Sequence, residues 1–580
     1  MNLRRKKPRL RDPLMLKSVL ASRQLNCIES AQDLSGERKM YSVRRQIGLL
    51  VLIWLSTWQV HAAVAADHQT LTNGPTPCLR GVWEVELVAG ETVANPLTAA
   101  PPQIIFLRPD QSEVRVDCFL RDNRTWVGRA YCDQTGTWSW RSTADEVQLI
   151  NPAGTFEVQP SGLPGKLRKH PLDPYQFCFD SGQWFLHIGD TGYRFLTDTE
   201  PLWQQYIDEA AEVGFTKIRT WFCRSRGGVE ALLNPDRSGP DFDYWNEMDR
   251  RIAYALQKYP HIQLQLIPYG EDADELNRYG DGDPASQWIA RHAQARFSAY
   301  PNIQWCISND QHISPMPGKR VVAPDVINRI GRDMQAREPW RSLITNHQRR
   351  FSGYAFVESE WSDIVTLEDL DQVTGAILLK YRKLFSHPVI NDEDRYGIYR
   401  SPLHDRYFFR RLMWASLLSG GHATYGGIES YEPFAGPDGT KGMHGYLTSV
   451  KDGRLDDGAR DFNWIHAFFR DSRLTLVGFE PADELAGGNS LLAKAASDGK
   501  NMIVYLPNPD SETPEKANVN EAPAVIDLTP PAGKYRMRWF DPQTGNWHDS
   551  GPQSEIHGGS SHSLTAPFAG DAVLLLQLSV

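Results

Sequence analysis

The sequence predicts an α/β protein, a (β/α)8 TIM barrel flanked by two small β-sandwich domains. Three observations predict it. Between residues 175 and 484 short apolar runs alternate with segments of helical period, and eight such runs in roughly 310 residues match the size of a parallel barrel. Polar and acidic residues collect where the runs end, as they do at the carboxyl face of such a barrel. On either side the pattern becomes short alternating strands broken by Gly, Pro and Asx turns. An open doubly wound sheet is the competitor, but Gly189-Asp190-Thr191-Gly192 lacks the G-x-G-x-x-G spacing of its phosphate turn.

The chain has 580 residues, enough for several domains. A net charge of -9, with its only basic excess in the first 45 residues, gives no reason to expect nucleic acid as a partner. The 18 Trp, 21 Tyr and 23 Phe suit the flat faces of sugars, and large cores use them too. Residues 1–66 are set apart. Arg44-Arg45, the apolar run Ile47 to Trp54 and the small residues Ala62 to Ala66 follow the order of a secretory signal peptide. That run is short for a bilayer, so the expectation is a cleaved signal, a secreted or periplasmic product and no stable membrane span after removal. Residues 1–39 form a basic extension, and Met40 stands where the signal should begin, which makes it the expected true start.

Seven cysteines fall at 27, 78, 118, 132, 178, 223 and 306. None forms a C-x-x-C pair or joins a His-rich cluster, so no metal and no other cofactor is expected. In an oxidising compartment Cys118 and Cys132 could bridge neighbouring strands, although connectivity is not readable from sequence.

In chain order, residues 78–160 read as the first sandwich, with strands at Val82 to Leu87, Gln103 to Leu107, Val114 to Cys118 and Thr137 to Trp140. Trp83, Trp126, Trp138 and Trp140 read as its core, with glycan binding the alternative. Gln159 to Pro174 reads as a linker. The barrel follows over 175–484. Its strands are expected at Trp184 to Ile188, Phe215 to Trp221, Ile262 to Ile267, Ile303 to Ile307, Ser342 to Thr345, Asp363 to Thr366, Val389-Ile390 and His422 to Tyr425. Helices are expected at Pro201 to Val213, Asp243 to Lys258, Pro284 to Tyr300, Pro324 to Arg337, Leu370 to Phe385 and Asp405 to Leu418. Residues 485–580 return to β patterning as the second sandwich.

Two strand ends run from apolar residues into carboxylates, Ile307-Ser308-Asn309-Asp310 and Val389-Ile390-Asn391-Asp392-Glu393. Cleaving a glycoside needs one carboxyl to protonate the leaving oxygen and a second as nucleophile or base, one on each side of the anomeric carbon. Asp310 and Glu393, at strands four and seven, fit those roles, with a solvated acidic loop the bland alternative. Asn309 suits a hydrogen bond to a sugar 2-hydroxyl, and Arg219 suits holding the nucleophile ionised. Asp190, Tyr193, Trp221, Tyr269, His347, Glu368, Tyr396, His422 and Tyr425 complete the expected substrate-binding set, each with a reading as a structural residue beside it. Asp392 and Asp394 read as fixing the loop or touching substrate.

The strand-four and strand-seven pair resembles the wider glycoside hydrolase clan A. More closely, His187 to Tyr193, Trp305 to Asp310, Pro388 to Glu393 with Tyr396, and Leu417 to Gly426 resemble the apiosidase-like barrels of glycoside hydrolase family 140 and its relatives. Residues 80–160 resemble the immunoglobulin-like domain before those barrels, and Trp539 to Gly545 resembles a C-terminal sandwich of the collagen-binding type. The resemblance implies a retaining hydrolase with Asp310 as acid/base and Glu393 as nucleophile, acting on a plant or algal polysaccharide or oligosaccharide. Ser308-Asn309-Asp310 stands where members often carry Gly-Gly-Asp, and Gly397 where an acid often follows the tyrosine, so apiose specificity does not carry over. A non-catalytic carbohydrate-binding or scaffold protein, and a lyase or transglycosylase on the same barrel, are the alternatives. Sugar, linkage, endo or exo action and oligomeric state are not encoded legibly.

Overall fold

The computed structural model describes residues 76–579 except 144–152, 198–201, 224–230, 316, 319, 350–351, 369–373, 395–404, 426–458, 460, 514–515, 519–521 and 550–553. The signal-like segment within 1–66 lies outside the described residues, and none of their helices is long and apolar enough to cross a membrane.

The first domain packs the sheet of Val82–Val88, Thr125–Tyr131 and Phe119–Leu120 against that of Glu113–Asp117, Gln103–Leu107, Gly136–Ser142 and Ala153–Val158. Strict alternation explains it: Val114 and Val116 are buried while Glu113 and Arg115 are exposed. Leu87, Ile104, Phe106 and Trp138 form the core, and Trp83 stacks on Phe156 at 3.7 Å, so Trp83 and Trp138 belong to the sandwich interior. Cys118 and Cys132 are both buried and free, so the bridge that sequence left open between them is not formed.

The segment read as a linker is structured instead. Leu167–His170, Asp173–Phe179 and Trp184–Phe185 form a three-stranded antiparallel ribbon, turned at Gly182, whose φ of +83° suits a residue without a Cβ. Leu167, Phe177, Phe179 and Phe185 bury themselves against Leu343, Ile364 and Ile390 at the amino-terminal ends of barrel strands. The ribbon therefore closes that end with apolar side chains.

The barrel strands are β1 (Ile188–Asp190), β2 (Lys217–Trp221), β3 (Gln263–Ile267), β4 (Ile303–Cys306), β5 (Ile344–Thr345), β6 (Val365–Glu368), β7 (Val389–Glu393) and β8 (His422–Tyr425). They pair in parallel in the order β5-β4-β3-β2-β1-β8-β7-β6. At the β5/β6 seam, Thr345 Oγ1 donates to the Ile364 carbonyl at 2.8 Å and the Asp363 amide donates to Ile344 at 2.9 Å, so the ring is nearly closed. All eight expected strands exist, although β1 begins at Ile188, because Trp184–Phe185 belongs to the ribbon. Helices Phe242–Lys258, Ala273–Asp281, Pro284–Phe297 and Arg406–Leu418 each start at an aspartate whose side chain accepts a backbone N–H of the first turn. Helices Ala273–Asp281 and Phe462–Ser472 were not anticipated from sequence.

Buried ion pairs weld the flanking domains to the barrel. Arg129 of the first sandwich grips Asp249 through two bonds of 2.9 and 2.6 Å, and Arg410 grips Asp571 of the second at 2.7 and 2.6 Å. In the second sandwich, Asn501–Leu506, Ala572–Leu578 and Lys534–Phe540 are the central strands.

Candidate active site

Parallel strands buried on both faces send alternate side chains into the barrel. Lys217, Arg219 and Trp221 point inward from β2, and Tyr193, Trp221, Ile267 and Cys306 form an apolar layer across the interior. The register of β6 against β7 steps from Leu367↔Asn391 to Glu368↔Glu393, leaving Asp392 as an extra residue on β7. That bulge lets two consecutive carboxylates, Asp392 and Glu393, both serve the interior.

Glu393 Oε2 accepts from the Tyr193 hydroxyl at 2.7 Å and from Arg219 Nη1 at 3.2 Å. Arg219 is fully buried, gives Nη1 also to the Asp392 carbonyl at 2.7 Å, and donates Nη2 to Asn309 Oδ1. Burial works against its charge, yet Tyr193, Asp392 and Glu393 outweigh it and hold the guanidinium charged. With its oxygen committed to Arg219, Asn309 has its amide N–H groups left to offer a sugar hydroxyl. Beneath, Lys217 pairs with Asp392 Oδ1, which also accepts from Thr424. Burial opposes the Asp392 charge, but Lys217, Arg219 and His187 hold its carboxyl far below the ordinary range. Burial takes Lys217 down to about 8 against the pull of Asp392.

Asp310 ends the β4 segment with φ +50°, a left-handed conformation few residues but Asn, Asp and Gly tolerate. Its Oδ1 lies 3.2 Å from His347 Nδ1 and its Oδ2 3.4 Å from Arg349 Nη1. Burial raises its pKa, and His347, Arg349 and Arg219 overcome that and set it below the ordinary carboxyl value. One donor atom each from Asp310, His347 and Glu393 lies within 4.8 Å of the other two. Such a trio could hold a cation, but Arg349 and Arg219 already pair with the two carboxylates, which favours proton chemistry over metal binding.

Of the residues expected at the site, Asp310, Glu393, Asn309, Arg219, Tyr193, Trp221 and His347 come together, and Glu368 sits in register beside Glu393. Others do not. Asp190 is buried against helix Leu202–Glu212, accepting from Tyr206. Tyr269 donates to the Ser286 carbonyl at 2.8 Å, on the helix side of β3. His422 is the first residue of β8, at the plugged end, 3.1 Å from the Tyr175 carbonyl and 5.1 Å from the Phe177 ring. Tyr425 packs among Phe215, Phe409 and Phe462. Tyr396 and the run Gly426 to Glu429 lie outside the described residues. Sequence reasoning missed Lys217 and Arg349. Each stands two residues from a residue it did select, Arg219 and His347, and in a strand that spacing signals a shared face.

The parallel barrel carries an acid after β4, a second at the end of β7 and a cation beside each, an arrangement like that of glycoside hydrolases. Residues 175–444 match the family described as "Apiosidase-like, catalytic domain", just under half of the chain. Among solved structures, the chain is similar to a protein from Bacteroides vulgatus ATCC 8482 assigned as a glycoside hydrolase, at 15% identity and TM-score 0.66, covering 87% of this chain and 100% of that one. A glycoside hydrolase family 5 protein of the same organism gives 15% identity and TM-score 0.55, covering 71% and 94%. At this identity the likeness establishes the fold. No curated protein matches the sequence.

Proposed function

We propose that this glycoside hydrolase acts with retention of configuration, Glu393 attacking the anomeric carbon and Asp310 serving as acid and then base. The observation that carries the reading is the closeness of the two carboxylates, one oxygen of each lying within 4.8 Å of the other. Retaining enzymes place the pair about 5–5.5 Å apart, whereas inverting ones need about 6.5–9.5 Å to admit a water. The same closeness weighs against a non-catalytic scaffold, which has no reason to bring the acids together. Tyr193 and Arg219 both donate to Glu393 Oε2, an arrangement that suits a carboxylate and leaves Oε1 to attack. The substrate we infer is a plant or algal polysaccharide or oligosaccharide met outside the cytoplasm, on the strength of the family resemblance and the signal-like segment at residues 44–66.

The test is a panel of polysaccharides and aryl glycosides, with product anomers followed by NMR. Retained configuration at the first product, and loss of turnover in folded Asp310→Asn and Glu393→Gln variants, are expected. An inverted product, or folded variants with full activity on a glycan the parent cleaves, would overturn the reading.

A further inference from the structure

Two of the cysteines meet at one end of the first sandwich. There the strand Val82–Val88 is continued backwards by Gly81, which faces Cys132. The Cys132 N–H donates to the Gly81 carbonyl at 3.0 Å, and the Arg80 N–H to the Cys132 carbonyl at 2.6 Å. Residues opposite each other in an antiparallel ladder share a face, with Cβ atoms about 4.5–5.5 Å apart. Gly81 has no Cβ, and Cys78 takes the space: its Sγ lies 2.7 Å from the point a Cβ on Gly81 would occupy. A turn brings it there, closed by the Gly81 N–H on the Cys78 carbonyl at 2.9 Å. Gln159 pins the backbone on both sides, donating to the Pro77 carbonyl at 2.9 Å and accepting from the Leu79 N–H at 2.7 Å. The Cys78 thiol therefore stands on the face of Cys132, within reach of a bond whose Cβ atoms need a separation of about 3.5–4.5 Å. Burial foremost, and Cys78 next, keep the Cys132 thiol protonated, so the two groups also meet electrostatically. Cys118 is too far to be the partner. Its Sγ lies 3.4 Å from the Cβ position of Gly128, which is four residues along the strand and about 13 Å from Cys132. Cys178 belongs to the ribbon, and Cys223 and Cys306 pack within the barrel.

We propose that Cys78 and Cys132 join in a disulfide under oxidising conditions, a covalent staple between the start of the first sandwich and the strand Thr125–Tyr131. The inference stands apart from the glycosidase reading. The oxidant is a small-molecule disulfide such as oxidised glutathione. Cys78 is half-buried and Cys132 buried, so Cys78 reacts first. It loses its proton and attacks the oxidant, whose S–S bond breaks and releases one thiolate. Cys132 then loses its proton and attacks Cys78 Sγ, which breaks the mixed disulfide and releases the second thiolate. Two cysteines are oxidised, one disulfide is reduced to two thiols, and the two protons end on the released sulfurs. The closed loop runs from Cys78 to Cys132 and holds the strands from Val82–Val88 to Thr125–Tyr131, so the bond restricts a long stretch of the unfolded chain. The stapled strand also carries Arg129, which grips Asp249 of the barrel, and Tyr131, which donates to Asp180 at the ribbon's turn. The bond thus stiffens the strand that joins the domains.

The test uses the full chain, freed of reductant and held with excess oxidised glutathione at about pH 8, where thiolates form. It is then alkylated and digested without reduction. A second sample is unfolded in urea and refolded in a glutathione redox buffer, so that the burial of Cys132 does not hide the reaction. The expected product is a Cys78 peptide joined to a Cys132 peptide, lighter than the two by two hydrogens and split by dithiothreitol, with the free thiol count lower by two. Both cysteines alkylated in both samples overturns the proposal. So does glutathione on Cys78 without the cross-link in both samples, or a bond from either cysteine to a different one. Urea unfolding gives the second readout. The oxidised parent should unfold at a higher urea concentration than the reduced parent, and Cys78→Ser should lose that difference. Coinciding midpoints in the oxidised and reduced parent would remove the staple. If Cys78→Ser does not fold, the comparison of the two parent forms decides.

Discussion

Lys217 and Asp392 form an ion pair with no solvent exposure on either side chain, one layer below Glu393. Asp392 is the bulged residue of β7, its carbonyl receives Arg219 and its neighbour is the proposed nucleophile, so the pair fixes the height and angle of Glu393. Replacing Lys217 by Met leaves a buried carboxylate without its cation and should cost about 3–5 kcal/mol of stability. The paired change Lys217→Met with Asp392→Asn should recover a large part of that loss in urea unfolding. Recovery of nothing would mean that Lys217 matters through packing alone.

Tyr193 makes a separable contribution. Its ring lies 4.8 Å from Trp221, and only its hydroxyl reaches Glu393, at 2.7 Å. Tyr193→Phe keeps the ring and removes a hydrogen bond to a charged acceptor, worth about 1.5–3 kcal/mol. If that bond orients the nucleophile, kcat/KM on any cleaved glycoside falls roughly 10- to 100-fold with little change in thermal stability. A variant as active as the parent would remove Tyr193 from the machinery.

Tyr269 offers the contrasting case. Its hydroxyl is spent on the Ser286 carbonyl at 2.8 Å and its ring meets Tyr279 edge-on at 6.2 Å, away from the carboxylates. Tyr269→Phe should cost about 1 kcal/mol in unfolding and leave turnover within about twofold of the parent. A selective loss of activity would put Tyr269 back at the sugar.

The two acids proposed for catalysis, Asp310 and Glu393, are legible because buried parallel strands read as apolar runs, and an acid at the end of such a run has few structural reasons to be there. Alternation then misleads at β7. It would place Asp392 and Glu393 on opposite faces, and only the bulge, set by pairing with β6, brings both inward. His422 was misplaced for a related reason: it belongs to a barrel strand but opens it, so it faces the plug rather than the mouth. Asp190 sits at the correct end of β1 and yet serves Tyr206, a tertiary partner no local pattern announces. The ribbon at Leu167–Phe185 was hidden by its Gly and Pro content, which reads as a linker until Phe177, Phe179 and Phe185 are seen to have a common apolar target.

The junction between the first sandwich and the barrel should be the acid-labile part of the molecule. Asp249 receives Arg129 at 2.9 and 2.6 Å, Arg296 Nε at 3.0 Å and the Tyr300 hydroxyl at 2.7 Å. Burial alone would raise its pKa, but the two guanidiniums and these bonds prevail and bring it down to about 2. Because the folded value lies below the unfolded one, the stabilisation is fully present above about pH 4 and is lost as pH falls toward 2. Its size is about 2 kcal/mol, from a shift of nearly two pH units at 1.36 kcal/mol each. Asp249→Asn should be less stable than the parent at neutral pH, since it removes the anion held between Arg129 and Arg296 and leaves Arg129 only Glu84, and should lose correspondingly less on acidification. Urea unfolding at a series of pH values between about 5 and 2.5 checks both statements, and an identical pH slope in parent and variant would move the acid sensitivity elsewhere.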